Sequence, residues 1–186
     1  MKRAFDIAAS VIGLILLALP MLAIAIAVRT TSAGPALHWS RRIGRDNVAF
    51  QMPKFRTMRI DTPQVPTHLM TEPGKWLTPI GGFLRRTSLD ELPQLWSVLI
   101  GDMSIVGPRP ALFNQDDLIE LRTKSGVHRL APGLTGLAQV SGRDELPIPV
   151  KVKFDAEYCA QRSLLVDLKI IWLTVLNAVR GEGISH

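Results

Sequence analysis

The sequence predicts a mainly helical α+β fold, in which an N-terminal re-entrant membrane helix-break-helix and interfacial amphipathic helices surround a small cytosolic core with few short strands. Three observations predict it. From Ala8 to Val28 no residue is charged, and Pro20 interrupts an otherwise aliphatic run. From Leu164 to Val179 a second apolar stretch has only Asp167, Lys169 and Asn177 as strongly polar residues. Between these stretches proline and glycine recur so often that only short strands fit. The 186 residues make about one domain, with a formal charge of +6 and 47% hydrophobic residues. Soluble nucleic-acid binders are seldom this oily, and no nucleic-acid motif or aromatic platform is present, so nucleic acid is not expected as a partner.

As a helix, Ala8 to Val28 would extend about 30 Å, the thickness of a bilayer core. Lys2 and Arg3 precede it, and Arg29, Arg41, Arg42, Arg45, Lys54, Arg56 and Arg59 follow it against a lone acid, Asp46. Basic flanks on both sides argue against a cleaved signal peptide and favour a segment that enters and leaves by the cytoplasmic face. Pro20 would make the reversal, because it donates no hydrogen bond and clashes with the carbonyl of Leu16. A kinked helix that spans the membrane is the competing reading. Further on, Ile60 to Thr78, with Pro63, Pro66, Pro73 and Gly74, reads as a long surface loop or lid.

The stretch Arg85-Arg86-Thr87-Ser88-Leu89-Asp90-Glu91-Leu92-Pro93-Gln94-Leu95 gathers two carboxylates, two guanidiniums and a rigid proline. Proline belongs in the first turn of a helix, which predicts a start at Ser88 to Asp90. Leu92, Leu95, Trp96 and Leu99 then share one buried face that ends at Gly101. Asp90 and Glu91 would sit at the positive end of that helix, which suits phosphate and metal chemistry. Ser88-x-x-Glu91 is equally a capping box, so ordinary capping competes. Near the far end, Leu165, Leu168, Trp172, Val175, Leu176 and Val179 form a stripe that suits a membrane interface or a core. The single Cys159 excludes an internal disulfide, and the scattered histidines offer no transition-metal spacing. A hard cation held by carboxylate is the expected metal.

Ordered blocks extend these local readings. Lys2-Arg3-x-Phe5-Asp6, Ser32-x-Gly34-Pro35, Arg42-x-Gly44-Arg45, Lys54-Phe55-Arg56-Thr57-Met58, Leu77-Thr78-Pro79-Ile80-Gly81, Thr87 to Gln94, Gly101-Asp102-Met103-Ser104-x-Val106-Gly107-Pro108-Arg109-Pro110 and Pro132-Gly133-Leu134-Thr135-Gly136 follow one another, with the Asp155 to Asp167 region after them. Together they resemble the bacterial monotopic phosphoglycosyl transferases, also called bacterial sugar transferases, over nearly the whole chain. The likeness is to the minimal catalytic form, without the extra membrane helices of longer members.

That resemblance implies residues 1–30 as a re-entrant membrane hairpin and residues 31–186 as a catalytic domain with interface-associated helices. It implies transfer of a phosphosugar from a UDP-sugar to polyprenol (undecaprenyl) phosphate, with release of UMP, at the cytoplasmic face of the bacterial inner membrane during glycoconjugate biosynthesis. Asp90 would be the nucleophile of a covalent aspartyl-phosphosugar intermediate and a ligand of magnesium (Mg2+). Glu91 would assist, by orienting groups or by managing the proton or charge of the acceptor. The resemblance also guides the substrate-binding set: Lys54 and Arg109 at the diphosphate or acceptor phosphate, Arg56 with them, and Arg143 at the donor's phosphate or nucleotide. Pro108 and Pro110 would stiffen Arg109. Asp155 is expected as an active-site partner and Asp167 as structural. Membrane lipid is a further expected partner, with room for a homodimer. The chain departs from the family pattern at Leu19, where serine often precedes the hairpin proline, at His38-Trp39-Ser40-Arg41, and at Gly82. A non-catalytic module that binds anionic lipid is the alternative function.

Overall fold

The computed structural model describes residues 2–62, 73–142 and 146–180, save the side chains of Pro73, Val179 and Arg180. Helix α1 (Lys2–Leu16) and helix α2 (Ala18–Thr31) meet at Leu17 with a bend of 61°. Among the described residues no single helix is long and apolar enough to cross a membrane, whereas this bent pair together is. The break falls at Leu17 rather than at Pro20, which lies in the first turn of α2. A proline disturbs the turn that precedes it: the carbonyl of Leu16 loses its donor, while Leu17 N still bonds Gly13 O at 2.9 Å and Met21 N bonds Leu17 O at 2.8 Å. Ile12, Ile15, Leu16, Leu19 and Leu22 are all more than half exposed, a run of uncovered apolar side chains of the kind that marks a contact surface.

Strand β1 (Leu37–Ile43) pairs antiparallel with β2 (Ala49–Phe55) along its full length, from Leu37↔Phe55 to Ile43↔Ala49. The turn between them passes through Asp46 and Asn47 at φ 53° and 60°, a left-handed conformation that these two residue types tolerate well. On its other edge β1 takes β4 (Ala111–Leu112), also antiparallel. A separate parallel pair joins β3 (Ser104–Val106) to β5 (Gly133–Thr135). The remaining helices are α3 (Gly81–Arg86), α4 (Gln94–Ile100), α5 (Asp116–Lys124), α6 (Leu137–Gly142), α7 (Ile148–Gln161) and α8 (Leu164–Arg180). The expected mainly helical α+β fold with short strands is therefore present.

The apolar interior lies in patches between these small layers. Val28, Phe55 and Leu84 join α2 to β2 and α3. Met52, Val98 and Met103 join β2 to α4. Val106, Leu130, Tyr158 and Ile170 join β3 to α7 and α8. On α8 it is Asp167 and Ile170 that are buried, whereas Leu165 and Trp172 are 78% and 63% exposed. The apolar stripe read from the sequence is thus an outer surface and not a core face.

The bent helix pair is joined to this body by polar bonds as well as by packing. Lys2 Nζ pairs with Asp167 Oδ2 at 2.7 Å. Arg3 donates to the carbonyls of Val98 and Leu99 at 2.6 and 2.7 Å, which satisfies the exposed end of α4. Asp6, 4% exposed, accepts from Ser104 Oγ and from Ile105 N at 3.0 Å each. Gly13 lets Leu95 approach so closely that a Cβ there would stand 3.1 Å from its Cδ1.

Removing Asp6 leaves the buried Ser104 hydroxyl and the part-buried Ile105 N–H without this acceptor. Asp6→Ala should cost about 1–3 kcal/mol, a few degrees of melting temperature in detergent solution. Asp6→Asn keeps an acceptor and should lose less. Identical melting of Asp6→Ala and the parent protein would show that this link carries no stability.

Candidate active site

The carboxylate pair is presented by a turn, not by a helix. Ser88 takes a left-handed conformation (φ 55°, ψ 17°) and makes no side-chain capping bond. A helix N-cap needs extended backbone for its hydroxyl to reach the free N–H groups, so the capping box read from Ser88 and Glu91 does not form. Leu89–Glu91 is a single 3₁₀ turn, and α4 begins only at Gln94, behind Pro93. The expected helix start at Ser88 to Asp90 is corrected accordingly. So is the expected buried stripe: Gln94, Leu95, Ser97 and Val98 are the buried residues of α4, and Trp96 is half exposed. Packing against β2 and the hairpin, rather than hydrophobic spacing, chose that face.

Asp90 is 7% exposed. Among the described residues no side-chain donor is hydrogen-bonded to it, although Lys54 of β2 and Arg85 of α3 stand close enough to act on it electrostatically. Burial, and then the charge of Glu91, lift its carboxyl to about 6 against the pull of those two cations. Lys54 shows part of its surface to solvent, yet its ammonium is packed among like charges. Burial first, then Arg42 and Arg85, bring it down to about 8, while Asp90 and Glu91 oppose the shift. Arg85 itself is held by Thr57 Oγ1, which accepts from its Nε at 3.0 Å.

Glu91 points to the Pro-Arg-Pro segment, where Arg109 Nη2 meets its Oε1 at 2.8 Å. Prolines donate nothing, so that segment is fixed through its carbonyls, and each one has a donor. Pro108 O accepts from Gly133 N at 2.8 Å, Arg109 O from Arg122 Nη1 at 2.7 Å, and Pro110 O from Arg42 Nη1 at 3.2 Å. The β3 and β5 backbones cross here so closely that a Cβ on Gly133 would lie 2.1 Å from Gly107 N. Arg122 is in turn held by Asp155, whose Oδ2 accepts from its Nε and Nη2 at 3.0 and 2.7 Å. Burial lifts the Asp155 carboxyl and Arg122 pulls it back.

The structure therefore gathers Lys54, Asp90, Glu91, Pro108, Arg109 and Pro110, and reaches Asp155 only through Arg122. Arg56 is engaged elsewhere. At 5% exposure it donates to Pro35 O at 2.7 Å and Ser32 O at 3.0 Å, bracing the chain as it leaves the hairpin, while its Nη1 has no partner. Arg143 lies outside the described residues. So does most of the loop between Ile60 and Thr78. Asp167 is buried between Lys2 and the Tyr158 hydroxyl, as a structural group would be. Arg42 and Arg122 are additions that the sequence reading did not place in the site, whereas Arg85 belongs to the run it set beside Asp90; Arg122 gives no local signal, since its partners lie 13 and 33 residues away.

Among the described residues no cluster of three or more His, Cys, Asp or Glu side chains exists. The donor set is instead two adjacent carboxylates, one buried and reluctant to ionise. A hard dication that keeps most of its waters needs no more than one or two such ligands, so the donor set fits one.

Residues 1–181 match the family described as bacterial sugar transferase. The chain is 36% identical to the galactosyl transferase CpsE of Streptococcus agalactiae, over 98% of its own length and 43% of that protein's. It is 38% identical to the UDP-glucose:undecaprenyl-phosphate glucose-1-phosphate transferase of Escherichia coli, over 95% and 40%. With the exopolysaccharide production protein ExoY of Rhizobium meliloti it shares 36% identity over 98% and 87%. The chain thus spans about two fifths of the length of the first two relatives.

Because the folded Asp90 holds its proton to about 6 and the unfolded one to about 4, the folded state binds more protons between those values. Stability contributed by the neutral acid is present below about pH 4 and is lost as pH rises to 6, a cost of up to about 3 kcal/mol above it. Asp90→Asn cannot ionise. In metal-free buffer it should be more stable than the parent by up to that amount at pH 7.5, with the gain vanishing below pH 4, as read by urea unfolding in detergent. A gain equal at both pH values would contradict the electrostatic origin.

Proposed function

The chain belongs to the bacterial sugar transferase family, and from that premise we propose that it moves a phosphosugar from a UDP-sugar to polyprenol phosphate, releasing UMP. The observation that carries the proposal is the buried Asp90 carboxylate, free of side-chain hydrogen bonds among the described residues and bordered by Lys54, Arg85 and the Glu91–Arg109 pair. An anionic nucleophile needs cations around it to receive a diphosphate, and a lipid-binding module would have no use for a reluctant acid at its centre.

In the first step an Asp90 oxygen attacks the phosphorus that bears the sugar. The bond from that phosphorus to the bridging oxygen breaks, and UMP leaves with the electron pair. In the second step an oxygen of polyprenol phosphate attacks the same phosphorus, and the Asp90 carboxylate departs, restored. Lys54 and Arg109 draw charge from the phosphate oxygens, the lysine as a compact cation and the arginine as a fork aimed by its fixed backbone. Glu91 holds that fork in place. Magnesium would be held by Asp90, with Glu91 adjacent, and when bound supplies charge neutralisation on the diphosphate. The exposed apolar residues of α1, α2 and α8 support seating in a membrane, with the bent pair as a re-entrant hairpin at the cytoplasmic face of the inner membrane.

With donor alone, the protein should accumulate a peptide carrying sugar phosphate at Asp90, and Asp90→Asn should lose UMP release by at least about 1,000-fold. Product formation without that modified peptide would overturn the two-step route. The free enzyme needs Asp90 ionised and Lys54 protonated. Its kcat/KM should therefore rise as pH passes about 6 and fall as it passes about 8. Lys54→Arg should remove the alkaline limb, and a limb that stays at 8 in that variant would assign it to another group.

A further inference from the structure

A cavity of about 490 Å³ opens at the far end of α4 from Asp90, between the start of α1 and the junction of α7 with α8. Its size falls within the usual range for small-ligand sites. Six charged residues line it: Lys2, Arg3, Arg45, Arg162, Asp6 and Asp167. Both acids are already satisfied, Asp6 by Ser104 and the Ile105 N–H, Asp167 by Lys2 and the Tyr158 hydroxyl. Arg3 gives its hydrogen bonds to neutral carbonyls, so its charge is not cancelled by them. Arg45 and Arg162 are exposed, and among the described residues neither makes a hydrogen bond or an ion pair. Four cations thus face two acids, and the surplus rests on two guanidinium forks.

We propose that this cavity binds the phosphate headgroup of an anionic phospholipid. Guanidinium forks match phosphate oxygens in geometry as well as charge. The surroundings select a lipid over a soluble phosphate. Leu164 lines the cavity at 45% exposure, Leu165 beside it is 78% exposed, and Ile100, next to the lining residue Gly101, is 53% exposed. Ile7 and Val11 of α1, following the lining residue Asp6, continue that apolar surface along the hairpin, where acyl chains would lie. The site is distinct from the Asp90 centre, since α4 separates the two. It rests on the membrane seating proposed above, though not on the transfer chemistry.

The test reconstitutes the full chain in phosphatidylcholine nanodiscs with or without one fifth phosphatidylglycerol, and measures by native mass spectrometry the anionic lipid retained after extraction. Parent protein should retain one phosphatidylglycerol, and the double variant Arg45→Gln/Arg162→Gln should retain it about tenfold less or worse, with unchanged melting in pure phosphatidylcholine. Arg41→Gln, which removes an exposed arginine stacked on Phe113, should retain it fully. Equal retention by the double variant, or an equal loss in Arg41→Gln, would overturn the site. Inorganic phosphate that displaces the lipid at millimolar concentration would reassign the cavity to a soluble anion and overturn the lipid assignment. A chain that enters neither disc would sink the membrane seating and this site together, whereas failed sugar transfer with normal lipid retention would sink only the chemistry.

Discussion

A helix of seven residues cannot sustain itself in water, so α4 and the carboxylate turn before it stay where other parts of the chain hold them. Arg3 grips its last carbonyls, Leu95 fits against Gly13, and Met103 N bonds Ser97 O at 3.1 Å. The first two of those grips come from α1. The bent apolar helix pair is therefore a wall of the site, and whatever fixes the position of α1 also fixes that of Asp90. Asp6 repeats the arrangement at β3, whose next residues lead into Pro108-Arg109-Pro110. Both halves of the site are thus referred to one helix.

The charges follow a second constraint. Burial moves Asp90 and Lys54 toward their neutral forms, one upward to about 6 and the other downward to about 8. Between these values both are charged at some cost to the fold. Rigidity comes from the opposite device. The Pro-Arg-Pro backbone has few donors to give, and three donors from separate elements take its carbonyls. Arg122, buried against Asp155, supplies the middle one, so truncating either member leaves an unpaired buried charge behind the site.

Several readings were legible because their cause is local. An uncharged run with basic flanks and a proline announces a broken apolar helix, and Asp90-Glu91 with Pro108-Arg109-Pro110 marks two segments that the fold brings together through the Glu91–Arg109 pair. The departures are as specific. Pro20 marks the broken helix but acts on the turn before it, so the bend is at Leu17. Ser88 has the spacing of a cap and the wrong backbone for one. Trp96 has the spacing of a core residue, yet half of it is exposed, because α4 meets its neighbours on the Leu95 and Val98 side.

By itself, then, the sequence determined the class of fold, the broken apolar helix, the carboxylate pair and the family. The first three depend on residues near one another in the chain, through periodicity, steric restriction and charge density, and the family on ordered blocks that run along nearly all of it. Only the tertiary structure decided that Arg3 closes α4, that Arg122 and Asp155 hold the carbonyl of Arg109, that Arg56 braces the hairpin exit, and that the α8 stripe faces outward. Arg3 and its acceptor Val98 are 95 positions apart, and Arg122 and Asp155 are 33 apart. A cation's choice among many acceptors is set by which of them the folded chain brings within 3 Å and shields from water, and no spacing rule contains that information.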